Sequence, residues 1–356
     1  MGGIRVLSDR LLHLCKTLLV FVIIWVAAAA THQGFYSKWN LRDSANRFGI
    51  HKIIDGTAHK PFVYRQLVPE IARKFEQFTP EKVKTQIETF VRSNSVLYSS
   101  WGQYEFAYWI VYYLHFISVF LSILVLRALL LSEGVSAVIA TFTPCIFLLF
   151  TPYLQTFGGY FYDNFELLFF ASAVLLAKRQ KIFWLVPLTV AATYNKESFL
   201  LFITCLYPFI RQQLSLKASI GFLAALMLIA AAINLHLKTV YAGNAGGNVE
   251  IWLSRNLHEY FSISTYFKFE ETYGIVSPKG VNVLTLLALF SVVRLGWGEM
   301  SQVFRTHTLI AAAISFPLFI LFCYTGELRN LSFLYVSLTM LLALAIGRLG
   351  SAKPTA

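Results

Sequence analysis

Charge is scarce in this sequence. Of 356 residues only 13% are Asp, Glu, Lys or Arg, about half the roughly 25% of a typical soluble domain. So little charge cannot cover a water-facing surface, which excludes a soluble enzyme, and a disordered chain would be richer in charge and poorer in apolar residues. Cysteine is sparse as well: Cys15, Cys145, Cys205 and Cys323 are the four, and each falls inside an apolar run. They read as small buried hydrophobes rather than a disulfide framework or a metal set. No HExxH, CxxC or Walker-type phosphate loop occurs. The 30 Lys and Arg against 18 Asp and Glu leave a net charge of +12, yet the basic residues gather in no one soluble module, so nucleic acid is not the partner.

What is abundant is apolar. Hydrophobic residues make up 57% of the chain and aromatics 16%, with 32 Phe, and the mean hydropathy is +0.60. A helix of about 20 apolar residues crosses the ~30 Å hydrocarbon layer. About ten apolar runs are present, near 14–31, 106–130, 135–153, 164–177, 182–194, 198–210, 218–240, 281–295, 307–325 and 331–347. The pair at 182–210 is short enough to be re-entrant. The first run resembles a signal peptide, with Ala28 to Ala30 as a cleavage site, but further spans follow and a retained first helix is expected. The expectation is an all-α polytopic integral membrane protein, one membrane domain over 1–356, with the lipid bilayer as its surroundings.

Basic residues set the orientation, because Lys and Arg of short connections are retained in the cytoplasm. The N-terminus carries Arg5, Arg10 and Lys16, and every second connection after it is also basic. These are Arg127; Lys178, Arg179 and Lys181; Arg211 and Lys217; Arg294 and Arg305; and finally Arg348 and Lys353. The connection 153–163 on the other side has neither Lys nor Arg. Both termini are therefore expected in the cytoplasm. Two long segments then face outward, 31–104 and 241–279. The first shows helix-like stretches at 66–78 and 80–92, the second opened by Thr79-Pro80-Glu81 as N-cap and first turn, and both are expected to lie on the membrane surface. The second contains Gly243-Asn244-Ala245-Gly246-Gly247, a flexible piece suited to a moving lid.

All but three of the 18 acidic residues (Asp9, Glu133 and Glu299) fall on the outer face or at outer span ends under this topology. Charge at membrane depth is costly and usually faces a cavity or a partner. Four polar clusters converge on that side: the loop from Asp43 to Pro69, Tyr160-Phe161-Tyr162-Asp163-Asn164, Tyr194-Asn195-Lys196-Glu197-Ser198, and Gly326-Glu327-Leu328-Arg329-Asn330. Each alone also fits a polar turn, a helix cap or a headgroup contact. Together they fit transfer of a sugar from a lipid phosphate. A sugar hydroxyl needs a carboxylate to take its proton, for which Asp43 and Asp55 are the candidates. A phosphate leaving group needs cations, which Arg65, Arg329 and Lys196 supply. Tyr64, Tyr160 and Tyr162 offer faces for a sugar ring. Asp163, with Asn195, Lys196 and Glu197, shapes the sugar site, and Glu327 orients Arg329. His32, His51 and His59 share the first outer segment with Asp43 and Asp55, but their spacing matches no zinc-ligand pattern. His115, within an aromatic span, reads as a packed or hydrogen-bonded residue.

This layout resembles the GT-C class of membrane glycosyltransferases, which use polyprenyl-phosphate sugar donors. The resemblance rests on an acidic first outer loop directly after the first span, on many spans and on outward polar clusters. Locally, Pro61-Phe62-Val63-Tyr64-Arg65-Gln66-Leu67-Val68-Pro69, Asn195-Lys196-Glu197-Ser198 and Glu327-Leu328-Arg329 resemble segments of bacterial membrane proteins of that type. The resemblance implies an inverting transfer onto a glycan or lipid-linked acceptor at the periplasmic face of a bacterial inner membrane, with Asp43 or Asp55 as general base. It leaves a divalent metal open. This chain departs from the class in having no Asp-Asp or Glu-Asp pair in that loop and no large soluble C-terminal domain. A transporter or flippase for a lipid-linked sugar, or a noncatalytic subunit of a polysaccharide assembly complex, is the alternative from other functional classes.

Overall fold

The computed structural model describes residues 2–94, 106–247 and 250–351, so the end of the first outer segment and Lys353 lie outside the described residues. All ten apolar runs are helical. The long helices are α1 (Gly2–Trp39), α5 (Phe106–Ser132), α6 (Ala137–Leu154), α7 (Phe161–Lys178), α11 (Leu216–Val240), α14 (Gln302–Phe322) and α15 (Tyr335–Ser351, entered through a 3-10 turn at Leu328–Leu334). Shorter helices are α2 (Ile50–Ile54), α3 (Leu67–Phe78), α4 (Glu81–Asn94), α8 (Leu185–Asn195), α9 (Phe199–Phe202), α10 (Tyr207–Arg211), α12 (Leu253–Tyr260) and α13 (Val283–Gly296). Among the described residues six helical stretches are long and apolar enough to cross a membrane: Arg10–Trp39, Phe106–Ser132, Ala137–Leu154, Leu216–Val240, Gln302–Phe322 and Leu328–Gly350. Side-chain oxygens start several helices, satisfying otherwise orphaned amides. Ser136 accepts from Ile139, Ser215 from Ala218 and Asn282 from Leu284.

The surface is that of a protein in lipid. Leu228 is 70% exposed and Phe290 67%, whereas Ser118, Thr143, Asn164 and Ser219 are buried. Large apolar side chains face outward because a bilayer imposes no cost on them, while polar groups turn inward to find partners. The chain is a membrane-embedded, mostly helical protein.

Contacts sort the connections into two ends. At one end Lys178 pairs with Glu133, Gln213 donates to the Ala177 carbonyl, and Arg348 donates to the Leu295 carbonyl. These are the connections whose basic residues mark the cytoplasm in the sequence. All four polar clusters meet at the other end. The first outer segment begins later than expected, because α1 continues to Trp39 and carries His32 within it. Thr79 does not open α4. Its hydroxyl donates back to the Phe75 carbonyl and closes α3, and the Pro80 carbonyl accepts the amide of Lys84 at 3.1 Å.

The second outer segment differs more from expectation. Its glycine-rich piece is pinned to the first outer segment rather than free: Asn244 donates to the carbonyls of Gly56 and Ala58, and the Lys60 amide donates to Ala245. Gly246 sits at φ +93° with its ideal Cβ position 2.7 Å from the Lys60 carbonyl oxygen, so only glycine fits. Beyond α12 the chain forms an antiparallel hairpin, β1 (Phe269–Thr272) and β2 (Ile275–Pro278). Tyr273 and Gly274 both have positive φ at its turn, as a tight two-residue hairpin requires. The Lys38 ammonium ties this hairpin to α1 and α6 through Glu270, Thr272 and the Pro152 carbonyl. Among the described residues the fold is thus helical with one small strand pair at the end where the polar clusters meet.

Close packing of α13 on α15 gives a test. A Cβ on Gly296 would lie 2.4 Å from the Leu341 carbonyl oxygen, and backbone cannot yield as a side-chain tip can. Gly296→Ala is expected to destabilise by about 1–3 kcal/mol through overpacking. Gly221→Ala, in open space within α11, should be neutral or stabilising by up to about 1 kcal/mol from helix propensity. Melting temperatures of both variants in one detergent decide this, and equal behaviour of the two would refute the close approach.

Candidate functional site

Asp163 stands at the third position of α7, and its carboxylate accepts the Tyr160 amide at 3.1 Å, capping the helix start. The same carboxylate receives Arg329 at 3.2 and 3.4 Å and Lys196 at 3.4 Å. One turn on, Glu166 receives Lys196 at 2.8 Å and the Ser198 hydroxyl. Arg329 donates through Nε and Nη2 to Glu327, at 3.0 and 2.6 Å, and Asn330 donates to the other oxygen of Glu327. Arg65 grips Glu197 through Nη2 at 2.8 Å and Nε at 3.4 Å, and donates through Nη1 to the Tyr162 hydroxyl at 2.6 Å. Asn195 donates to the Tyr162 carbonyl, and the Gln66 amide donates to Tyr194. Residues from all four polar stretches therefore meet in one connected cluster, to which the first stretch contributes Arg65 but neither Asp43 nor Asp55.

Burial dominates its electrostatics. Asp163, Glu166, Lys196, Arg65 and Arg329 are nearly inaccessible, and isolated charges there would be prohibitively costly. Burial would push the Glu197 carboxyl up, but the Arg65 guanidinium more than offsets it and holds Glu197 below the ordinary carboxylate range. Burial likewise works against the charge on Lys196, and the Glu166 and Asp163 carboxylates reverse it, raising the ammonium above its usual value. Burial, and then the Glu197 carboxylate, push the Tyr64 phenol upward. Tyr64 packs in the outer hydrophobic cluster with Ile53 and Val68.

Above the cluster opens a cleft of about 410 Å³, walled by Arg42, Phe48, Phe62, Arg65, Tyr160, Trp252, Tyr324, Glu327 and Arg329. Tyr160 and Tyr162 stack at 5.0 Å with ring planes 10° apart, and Arg65 and Arg329 lie over these rings. Two lining residues hold left-handed backbone conformations, Arg42 at φ +64° and Phe157 at φ +62°. Such strain costs about 1–3 kcal/mol per residue and persists where the surroundings over-determine it, often at functional sites. On the membrane side an apolar groove of about 580 Å³ runs between α13, α14 and α15, lined by residues such as Leu289, Val293, Leu309, Phe316 and Leu338. Leu328 and Tyr335 line this groove, and Tyr335 also borders Asp163, Glu166 and Arg329. Greasy groove and charged cluster share a wall.

The two candidate bases part company. Asp43 follows Arg42 and accepts the Tyr108 hydroxyl at 3.1 Å, which in turn meets the Tyr36 hydroxyl. Asp55 is exposed at the end of α2, and neither aspartate lines the cleft or the groove. His115 is hydrogen-bonded, to His32 and to Asn164, both at 2.7 Å. Among the described residues no group of three or more His, Cys, Asp or Glu is placed to hold a metal ion. Sequence reasoning missed Glu166 and Arg42. Glu166 was legible, since positions 163 and 166 share one helix face. Nothing in the sequence marked Arg42, whose role depends on a backbone conformation and three distant rings.

The chain matches no family model, no curated protein and no solved structure. The site must be read from its own chemistry.

The Arg65–Glu197 pair predicts a pH signature. A carboxylate held low contributes stability above its unfolded value of about 4.3 and loses it as pH falls through the folded one. Glu197→Gln leaves Arg65 buried without its carboxylate and should cost about 1–3 kcal/mol at pH 7. The gap in melting temperature from wild type should close on acidification below about pH 4. An unchanged gap at low pH would show that the pair contributes nothing.

Proposed function

We propose that this protein is a membrane glycosyltransferase of GT-C-like organisation, moving one sugar from a polyprenyl-phosphate-linked donor to a glycan or lipid-linked acceptor with inversion. The observation that carries this reading is the shared wall between the apolar groove and the ionic cluster beneath the cleft. A donor with a long prenyl tail and a phosphosugar head needs that juxtaposition: a dry channel open to lipid, and polar groups at its outer end. A soluble substrate would need no groove.

In this reading the ten helical runs cross the membrane with both termini in the cytoplasm, and the cleft faces the periplasm of a bacterial inner membrane. The aromatic walls at Tyr160, Phe62, Trp252 and Tyr324 suit the apolar face of a sugar ring. Arg65 and Arg329 supply positive potential that steadies the phosphate as it leaves. Asp163, Glu197 and Glu327 hold those guanidinium groups in place, and Lys196 balances Asp163 and Glu166. Asp43 is the general base, because the loop that carries it also lines the cleft through Arg42, whereas Asp55 points into solvent. The base removes the acceptor hydroxyl proton as that oxygen attacks the anomeric carbon, and the phosphate departs with the bonding pair.

A transfer assay tests this. The purified protein receives polyprenyl-phosphate sugars and membrane lipid extract, with and without EDTA. Wild type is expected to consume one donor, Asp43→Ala to lose about 10²–10⁴-fold in rate as for removal of a general base, and Asp55→Ala to stay near wild type. Loss of activity in the EDTA lane would establish a metal. Full activity in Asp43→Ala would overturn the base, and consumption of no donor would overturn the enzyme in favour of a flippase.

A further inference from the structure

The cations of the cluster are already occupied. Arg65 and Arg329 each use Nε, Nη1 and Nη2 on Glu197, Tyr162, Glu327 or Asp163, and Lys196 lies between two carboxylates. Their fields reach the cleft, but their donors point elsewhere. Arg42 differs. Among the described residues its side chain has no ion pair or hydrogen bond, and its Nε is buried with no acceptor. It is held instead by three rings, Trp39 at 4.6 Å, Tyr160 at 5.1 Å and Phe48 at 5.2 Å. Cation–π contact fixes the guanidinium plane, and with Nε buried it leaves Nη1 and Nη2 as the donors open to a ligand.

The space beside it is kept open by a glycine. A Cβ on Gly158 would lie 3.3 Å from Arg42 Nη2 and 3.4 Å from Glu327 Oε1. The left-handed backbone at Arg42 turns the side chain into the cleft at the expense of local strain. A pre-oriented guanidinium with free donors, at the wall of a cleft, is matched by a tetrahedral oxyanion that accepts two parallel hydrogen bonds.

We propose that Arg42 is the direct phosphate-binding residue of the cleft and takes the phosphate of a lipid-linked ligand, with Trp39, Phe48 and Tyr160 as its positioning cage. The lipid portion rests on the glycosyltransferase reading above, through the groove. The anion site stands on Arg42 alone. Arg65 and Arg329 then shape and polarise the cleft without touching the phosphate.

Binding measurements separate these ideas from turnover. Full-length protein in uncharged-lipid nanodiscs is titrated with farnesyl phosphate, farnesol and inorganic phosphate. Farnesyl phosphate should bind about tenfold or more tighter than farnesol, as expected of charge-assisted bidentate contacts, and inorganic phosphate only weakly. Arg42→Gln should remove the preference for farnesyl phosphate over farnesol. Arg42→Lys, which retains charge but not the planar fork, should lose most of it. Gly158→Ala, which fills the space beside Nη2 and leaves every charge in place, should weaken it too. Melting temperatures identify any variant that fails to fold, and the remaining variants then decide. An undiminished phosphate preference in folded Arg42→Gln or Arg42→Lys overturns the assignment. Inorganic phosphate binding as tightly as farnesyl phosphate, and lost in Arg42→Gln, would overturn the lipid source. A failed transfer assay beside intact Arg42-dependent binding would sink the enzyme reading and spare the site.

Discussion

Charge buried at one end of the helical bundle constrains everything near it. Each ion removed from water loses several kcal/mol of solvation that only well-placed partners restore. Only the Glu327–Arg329 pair of the cluster is local, and its other ion pairs join different stretches of the chain. Asp163 and Glu166 come from the start of α7, Lys196 and Glu197 from the break between α8 and α9, Arg65 from the first outer segment, and Glu327 with Arg329 from the approach to α15. The cluster is satisfied only when all four meet. That requirement sets how α7, α8 and α15 sit at this end, and so sets the walls of the cleft.

The two ends of the molecule are built unequally. The end that gathers Glu133, Lys178 and Arg348 is joined by the Lys178–Glu133 pair and by the Arg348 hydrogen bond to the Leu295 carbonyl. The other end holds the connected ion pairs, the stacked tyrosines, the left-handed residues Arg42 and Phe157 and both long segments. The glycine-rich piece of the second segment clasps the first through Asn244 and the carbonyls of residues 56 and 58, and the hairpin is tied to the end of α1 through Lys38 and Glu270. Strain and buried charge each lower stability. Their concentration at one end, next to an apolar groove open to lipid, is the physical reason to place function there.

The long helices were legible because a bilayer demands long apolar runs, and such runs are a one-dimensional property. The cluster residues were legible for a related reason: Lys196 or Arg329 next to apolar runs is so costly that it must have a partner. Which partner was not legible. Arg65 pairs with Glu197 rather than with Glu70 or Asp55, both nearer in sequence, because the 3-10 turn at Phe62–Tyr64 brings it beside the end of α8. The hairpin was missed although Tyr273-Gly274 carries its turn signal, since strands of four residues leave little pattern to read. The expected lid at 243–247 failed for a different reason. Glycine permits flexibility, but it equally permits close backbone approach, and neighbours decide between the two.

Composition and hydropathy by themselves determined that this chain lives in a membrane and that it does so as helices. Those properties follow from solvation free energy, which is summed residue by residue and needs no knowledge of contacts. The tertiary structure alone decided that Arg65, Lys196 and Arg329 are neutralised while Arg42 has no hydrogen-bond or ion-pair partner among the described residues, and that Asp43 meets Tyr108 while Asp55 faces water. Pairing depends on distances of a few ångströms between residues more than a hundred positions apart, and only the packed helices fix those distances.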